Sequence, residues 1–322
     1  MTTEALRRSG NDMTAGILCG VGAGALWGLV FLAPALVSSF NPLQLTVGRY
    51  LAYGLIALAL IMPRWRTLAP RIGRRDWLML GGLALTGNTL YYILLSTAVQ
   101  TGGIAMTSLV IGFLPVAVTI IGSRDQGAVP LRRLYPSLFF CIAGAVCIGW
   151  QALAAPADLP LTTRLIGFGS AVGALISWTG FAVVNARALK RLDGVTSQDW
   201  NLLTGVVTGA QSLVLAPFAF LMVRTVQPSA EWVKFLAVSM AVAVFASIVG
   251  NGLWNRMSRL LPLTMVGQMI LFETLFALIY GFVWEARWPT TMEALAFVLV
   301  VLGVVTCIRV HRGKGAEAGA PV

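Results

Sequence analysis

The sequence has little of the chemistry on which soluble enzymes depend. Among its 322 residues there are one histidine, 12 acidic residues and four cysteines, while 57% of the residues are hydrophobic and 11% are charged. This composition excludes a soluble domain and is typical of a membrane protein. The single histidine, His311, is predicted to lie in a C-terminal tail, which removes most imidazole-based metal and acid–base chemistry.

Motifs for catalysis and for nucleotide binding are also missing. The four cysteines fall within apolar stretches, with no CxxC or histidine spacing, so the sequence predicts neither a disulfide nor a zinc site. There is no Gly-x4-Gly-Lys-Ser/Thr, Gly-x-Ser-x-Gly or His-Glu-x-x-His sequence. We therefore expect no metal or other cofactor and no enzyme activity.

What the chain does contain is a series of ten apolar stretches. About 20 helical residues cross the roughly 30 Å hydrocarbon core of a bilayer. The sequence thus predicts an all-α polytopic membrane protein whose partner is the lipid bilayer. The predicted spans are Thr14–Ser38, Leu43–Met62, Asp76–Ala98, Gly103–Gly122, Leu134–Gln151, Leu165–Ala186, Gln198–Val223, Trp232–Trp254, Leu261–Phe282 and Thr291–Ile308.

Basic residues are distributed unevenly between the connections of these spans. Eighteen of the 23 Lys and Arg residues lie in alternate connections and the two tails, four lie in the other connections, and Arg49 lies within the second span. Because basic loops stay on the cytoplasmic side, we expect both termini in the cytoplasm, in a bacterial inner membrane. The net charge of +11 is spread over every such connection, so nucleic-acid binding is not expected.

The chain also repeats itself weakly. A shift of 159 residues aligns Gly144 with Gly303, and a shift of 151 aligns Trp27 with Trp178. Each half has five predicted spans, and an odd number inverts the second half in the membrane, as in many secondary transporters. The predicted units are a tail (1–13), a first repeat (14–152), a second repeat (165–308) and a second tail (309–322).

Glycines recur every fourth residue in several spans. Small residues at this spacing let helices approach closely in lipid. We therefore expect tight helix contacts along three faces, which contain Gly16, Gly20, Gly24 and Gly28, then Gly169 and Gly173, and finally Gly205 and Gly209.

Several of these features together resemble a known family. They are the two five-span halves, Trp27 late in the first span, Pro42 at the start of the second, Arg49 within it, Pro115 in the fourth and Glu273 in the ninth. In this combination, residues 14 to 308 resemble the EamA-like group of the drug/metabolite transporter superfamily. The resemblance implies ten helices around a central cavity and movement of metabolites, amino acids or drugs, usually outward.

The chain departs from the family pattern at two positions. Thr274 follows Glu273 where a proline is usual, and Trp284 precedes Glu285 where a small residue is usual. Both differences affect the local geometry of the helix and not the resemblance to the family.

Two charged residues are predicted inside the membrane, where charge costs about 2.5–3.5 kcal/mol. Glu273 has two interpretations: a protonatable residue that couples transport to protons, or a carboxyl group that bonds a neighbouring helix. Arg49 could bind a substrate carboxylate through its planar guanidinium. It could equally bond the carbonyls at a helix end or extend towards the headgroups.

Uncharged polar and aromatic side chains complete the candidate site. Pockets for small molecules are mainly apolar and aromatic with a few polar groups. The alternative for each aromatic residue is lipid exposure or core packing, and for each amide an interhelical hydrogen bond. The candidate substrate-binding residues are Trp27, Asn88, Tyr91, Tyr92, Ser108, Trp178, Asn201, Asn251 and Gln268.

These features favour a secondary transporter. Without a nucleotide-binding loop, an ion gradient or the substrate's own gradient must drive it. We expect a monomer or weak dimer whose central cavity alternates between the two membrane faces, with export and proton coupling as finer hypotheses. The alternatives are a channel, a structural membrane subunit or, least favoured, a membrane-embedded enzyme.

Overall fold

The structure is a computed structural model, and within the residues it describes all regular secondary structure is helical. The side chains of some helical residues, including Ser108, lie outside this description. The described backbone covers residues 3–37, 39–125, 128–153, 160–192, 194–221, 227–284, 286 and 288–317.

The fold is built of fifteen α-helices in these ranges, some of them short. They are α1 (Thr3–Gly28), α2 (Ala33–Leu36), α3 (Pro42–Ile61), α4 (Trp65–Leu68), α5 (Arg74–Ala84), α6 (Leu90–Ile111), α7 (Leu114–Gly122), α8 (Leu131–Leu153), α9 (Leu161–Arg191), α10 (Ser197–Leu221), α11 (Ser229–Val242), α12 (Asn251–Leu260), α13 (Leu263–Met269), α14 (Leu271–Trp284) and α15 (Thr291–Glu317).

Six helical stretches of the described chain are long and apolar enough to cross a membrane. They overlap the second, third, sixth, seventh, eighth and tenth predicted spans, and helical segments also occupy the other four. Ten membrane crossings therefore remain a prediction. The six stretches are Pro42–Arg71, Arg74–Val99, Leu165–Arg191, Ser197–Leu221, Ser229–Leu260 and Ala294–His311.

Helices of the two halves pack against each other throughout the bundle. Helix α3 lies along α10, α6 along α9, α8 along α15, and α1 along both α12 and α14. Most of the buried core that results forms one large cluster containing residues of both halves, beside a small second cluster of Ala98, Val110 and Ala171. Both halves therefore contribute residues to the region between them.

Local sequence sets the start of α3 and the break before α14. Asn41 Oδ1 accepts a hydrogen bond from the Gln44 backbone N–H, and Gln44 Oε1 accepts one from the Asn41 backbone N–H. Pro42 takes the first helical position. In the ninth predicted span, α13 ends at Met269 and α14 begins at Leu271. This discontinuity leaves Glu273 in the first turn of α14, where the helix dipole favours a carboxylate.

The C-terminal part of the chain differs from the predicted tail. Helix α15 continues to Glu317, and His311 within it is buried, with Nε2 2.7 Å from Thr264 Oγ1 and Nδ1 2.8 Å from the Cys307 carbonyl oxygen. The interpretation of His311 as a tail residue was therefore wrong. Sequence alone did not show that helical periodicity turns this side chain towards α13.

Candidate functional site

The two pseudo-equivalent tryptophans meet at the interface of the two halves. The rings of Trp27 on α1 and Trp178 on α9 are 5.9 Å apart and nearly perpendicular. Trp254 on α12 completes a triad, with its ring 5.0 Å from Trp27 and 5.2 Å from Trp178. Edge-to-face contacts at such distances stabilise aromatic clusters beyond their burial alone. The predicted pair is thus part of a larger aromatic wall.

Trp254 was missed because its position near a predicted span end suggested a residue of the headgroup zone. The structure buries it almost fully, at 2% exposed. Its spacing in the sequence could have identified Trp254 as a site residue, since it lies three residues, or about one helical turn, after the candidate Asn251.

A π-helical segment at Ala243–Gly250, between α11 and α12, supplies backbone acceptors to the site. A π-helix changes the hydrogen-bond pattern of a helix and often marks a functional position. Trp27 Nε1 donates to the Ala246 carbonyl oxygen at 3.2 Å and to Asn251 Oδ1 at 3.0 Å. Trp27 therefore joins the first span to this irregular stretch through its polar edge.

Asn201 on α10 holds the same segment from the other side. Its Nδ2 donates to the carbonyl oxygens of Ser247 (3.2 Å) and Ile248 (2.9 Å), and Tyr53 donates its hydroxyl to Asn201 at 2.7 Å. Asn201 is 1% exposed. With both ends of its amide engaged, Asn201 positions the π-helical segment.

Arg49 on α3 contacts this segment as well. Its Nε donates to Ser247 Oγ at 3.2 Å, and its guanidinium carbon lies 4.9 Å from the ring centre of Tyr50 and 4.8 Å from that of Tyr92. Cation–π contacts of this kind stabilise a desolvated guanidinium. Tyr92 therefore contributes by holding Arg49 in place.

Glu273 on α14 lies within electrostatic range of Arg49. The Glu273 side chain is half-buried. Its charge interacts with Arg49 and with Tyr91. None of the ion pairs among the described residues includes Glu273 or Arg49. Tyr91 is also half-buried and packs on Trp178, with ring centres 6.3 Å apart. Arg49 and Glu273 therefore interact through their charges without forming an ion pair with each other among the described residues.

A second π-helical segment, Leu85–Thr89, lies in the third predicted span. Ser177 Oγ donates to the Thr86 carbonyl oxygen at 2.7 Å, and Asn88 Nδ2 donates to Thr208 Oγ1 at 3.0 Å. Asn88 is buried, at 5% exposed. Its amide connects the third and seventh predicted spans.

Gln268 lies apart from the aromatic triad, in a network between α7, α8 and α13. Its Oε1 accepts from Ser137 (3.2 Å) and Cys141 (3.0 Å), while Nε2 donates to Thr119 Oγ1 at 3.1 Å. It is 0% exposed. This placement matches the interhelical alternative. The side chain of Ser108 lies outside the described residues, so its assignment stays a prediction.

The residues that meet at the interface of the two halves form what we call the central site. Acid, base, aromatic and amide groups converge there from both halves. Three of its members (Tyr91, Asn251 and Glu273) keep part of their surface accessible. The described chain brings no group of three or more His, Cys, Asp or Glu side chains to metal-binding distance. The central site consists of Trp27, Arg49, Tyr91, Tyr92, Trp178, Asn251, Trp254 and Glu273.

Known proteins share both sequence and fold with this chain. The chain is 31% identical over 316 residues to the inner membrane protein YtfF of Escherichia coli (strain K12). This alignment covers 94% of this chain and 97% of the relative. A solved crystal structure with 19% identity superposes with a TM-score of 0.72 and covers 93% of this chain and 98% of the other, which shows a common fold.

A family description matches the two halves separately. The model of the EamA-like transporter family matches residues 14–150 and again 165–309. These two matches cover most of the chain. The chain belongs to the EamA-like transporter family.

Proposed function

We propose that the chain is a secondary transporter of the bacterial inner membrane that moves a small molecule through the central site. The main support is the aromatic triad between the two halves of a transporter-family fold, with Arg49 hydrogen-bonded to the π-helical segment and Glu273 within electrostatic range of Arg49. A guanidinium and a carboxylate that do not form an ion pair with each other can each receive an opposite charge. The aromatic wall accepts the apolar part of a substrate.

Alternating access is the finer part of this proposal. Both termini would be cytoplasmic, and ten spans would form two inverted five-helix repeats. In support, the two π-helical segments occupy corresponding positions, in the third and eighth predicted spans. Each receives a side-chain donor from the other half, Ser177 in one case and Trp27 in the other. We favour export because of the family resemblance, and proton coupling through Glu273.

The proposed function is tested by identifying the substrate and by replacing the planar, bidentate guanidinium group of Arg49. A metabolite panel is screened against purified protein for ligands that raise the melting temperature. Counterflow of each hit is then measured in proteoliposomes. Arg49→Lys keeps the charge but loses the bidentate geometry and the Ser247 bond, so we expect about tenfold weaker binding of an acidic or zwitterionic hit.

The control for this test is Arg66→Lys, at an exposed residue outside the central site. It should bind and transport like the unmodified protein. Equal affinity of Arg49→Lys and the unmodified protein for every hit would contradict substrate binding by Arg49. Absence of counterflow for any stabilising ligand would contradict the transporter proposal.

Proton coupling predicts a specific phenotype for Glu273→Gln. Glutamine mimics the protonated carboxyl group but cannot release a proton, so transport should lose its dependence on a pH gradient while ligand-induced thermal stabilisation persists. Uptake into proteoliposomes with and without an imposed pH gradient measures this. Asp12→Asn, at an exposed carboxylate of α1 outside the central site, is the control and should retain the dependence. A pH response unchanged in Glu273→Gln would assign the carboxyl group to structure alone.

A further inference from the structure

The ion pairs of this protein are placed unevenly. Of the four found among the described residues, three join the first half to the second, whereas Lys234 and Glu231 pair within α11. The three lie on one face of the bundle, where α3, α7 and α9 end and α5 and α10 begin; we call it the arginine-rich face. The pairs are Arg64–Asp199 (2.6 Å), Arg187–Asp125 (2.6 Å) and Arg191–Asp76 (2.8 Å).

All three pairs converge on one corner of the second half, formed by residues 187–199 between α9 and α10. A fourth contact adds to them, since Arg71 Nη1 donates to the Gly194 carbonyl oxygen at 2.8 Å. The partners in the first half come from two different connections, one around residues 64–76 and one at Asp125. The corner is therefore tied to two separate parts of the first half.

The opposite face is closed by different chemistry. Phe40, just before α3, packs on Trp232 and Phe235 of α11, with ring centres 4.9 and 4.4 Å apart. Ser39 Oγ donates to Glu231 at 2.8 Å. Within the described part of this face, no ion pair links the two halves. Among the described residues, the ion pairs between the halves thus lie at one end of the bundle and this aromatic cluster lies at the other.

We propose that the three ion pairs form a latch that closes the arginine-rich side of the central site and must open for substrate to pass on that side. This inference rests on the proposed transport function. Separating the halves at the latch breaks three ion pairs and exposes charged groups to water, in addition to buried apolar residues of the same segments such as Leu68, Leu189 and Val195. Aromatic contacts on the other face resist separation by a different mechanism, so the two closures can be disturbed independently.

The latch residues are suited to reversible contact. The arginine side chains of the three pairs are 53–63% exposed and Asp125 is 36% exposed, so the Arg187–Asp125 pair in particular is weakened by salt. Asp199 is 0% exposed, so the Arg64–Asp199 pair is the least screened of the three. The aspartates have other roles: Asp76 accepts from the Gly73 N–H and Asp199 from Thr196, and both therefore cap helices. Variants that test the latch should for this reason change the arginines and leave the caps intact.

The test is amide hydrogen–deuterium exchange of the full chain in lipid nanodiscs, without ligand. The triple variant R64Q/R187Q/R191Q should label residues 62–76 and 187–192 at least roughly tenfold faster, since three ion pairs together shift an equilibrium by about that factor or more. Residues 229–236 of the opposite face should label as before. Raising the salt concentration should reproduce the pattern in the unmodified protein.

A charge exchange and an independent control make the result decisive. Asp125→Arg should accelerate labelling by placing two positive charges together, and adding Arg187→Asp should restore the slow rate. Lys234→Gln, which removes the pair within α11, should leave the arginine-rich face unchanged. Equal acceleration on both faces, or no acceleration in the triple variant and in high salt, would overturn the latch. Because no ligand is used, this outcome is separate from failure to find a substrate.

Discussion

Replacing Gly54 by alanine is expected to destabilise the protein strongly, because α3 and α10 cross at this residue with their backbones in contact. An added Cβ at Gly54 would lie 2.5 Å from the Cα atom of Gly209, and one at Gly209 would lie 2.6 Å from the Cα atom of Gly54. Neither neighbour is a flexible side chain that can move aside. Separating the helices should cost about 1–3 kcal/mol or more, measured as a lower unfolding midpoint in one detergent.

The matched control is Gly169→Ala, at a helical glycine where an added Cβ meets nothing within 4 Å. Alanine is a better helix former than glycine by about 0.5–1 kcal/mol, so this variant should be as stable as the unmodified protein or slightly more stable. Gly209→Ala should behave like Gly54→Ala. If Gly54→Ala unfolded at the midpoint of Gly169→Ala, the close crossing of α3 and α10 would be wrong.

The close crossing also matters for the central site. Tyr53, beside Gly54 on α3, reaches Asn201 on α10, which in turn holds the carbonyls of Ser247 and Ile248. Moving α3 away from α10 would lengthen the Tyr53–Asn201 bond and loosen the π-helical segment on which Arg49 rests. We therefore expect Gly54→Ala to weaken ligand binding as well as stability.

Trp27→Ala is expected to produce the second large loss, in stability and in ligand binding together. It removes a ring that contacts both Trp178 and Trp254, and it leaves the Ala246 carbonyl oxygen and Asn251 without their donor. Truncation of a buried tryptophan costs about 3–5 kcal/mol. The measurement is the unfolding midpoint, followed by the thermal stabilisation that an identified ligand gives.

Trp27→Phe separates packing from hydrogen bonding. Phenylalanine keeps an aromatic ring in the cluster but has no N–H, so the cost should fall to about 1–3 kcal/mol for an unsatisfied buried acceptor. Trp150→Ala, at a residue 68% exposed on α8, is the control and should change little. A Trp27→Ala variant that binds and transports the ligand normally would show that the aromatic triad is not part of the substrate pocket.

The extent to which sequence predicted the site depended on the kind of side chain. Trp27 and Trp178 could be paired in advance because a repeat relates them, and the structure places their rings in contact. The buried amides could not be assigned, because whether Asn201 or Gln268 meets a ligand or a neighbouring helix depends on which atoms lie opposite. The structure gives both side chains protein partners.

The glycine spacing, likewise, predicted some helix contacts correctly and others not. The pattern predicted close contacts equally for the faces of Gly24, Gly169 and Gly209. The structure places Gly24 and Gly209 against other helices, with added Cβ atoms 2.5 and 2.6 Å from neighbouring atoms, and leaves Gly169 open. A small residue permits close approach but does not require it, so the spacing alone could not distinguish a crossing from a free surface.

By itself the sequence determined the helical membrane class, the two matching halves and the family, because hydropathy, charge asymmetry and repetition are properties of the chain in one dimension. Only the tertiary structure placed Arg49 against Ser247 and Tyr92, buried Trp254 and His311, and collected three ion pairs where α9 ends and α10 begins. These features join residues far apart in the chain. Their energies depend on distances that no local pattern specifies.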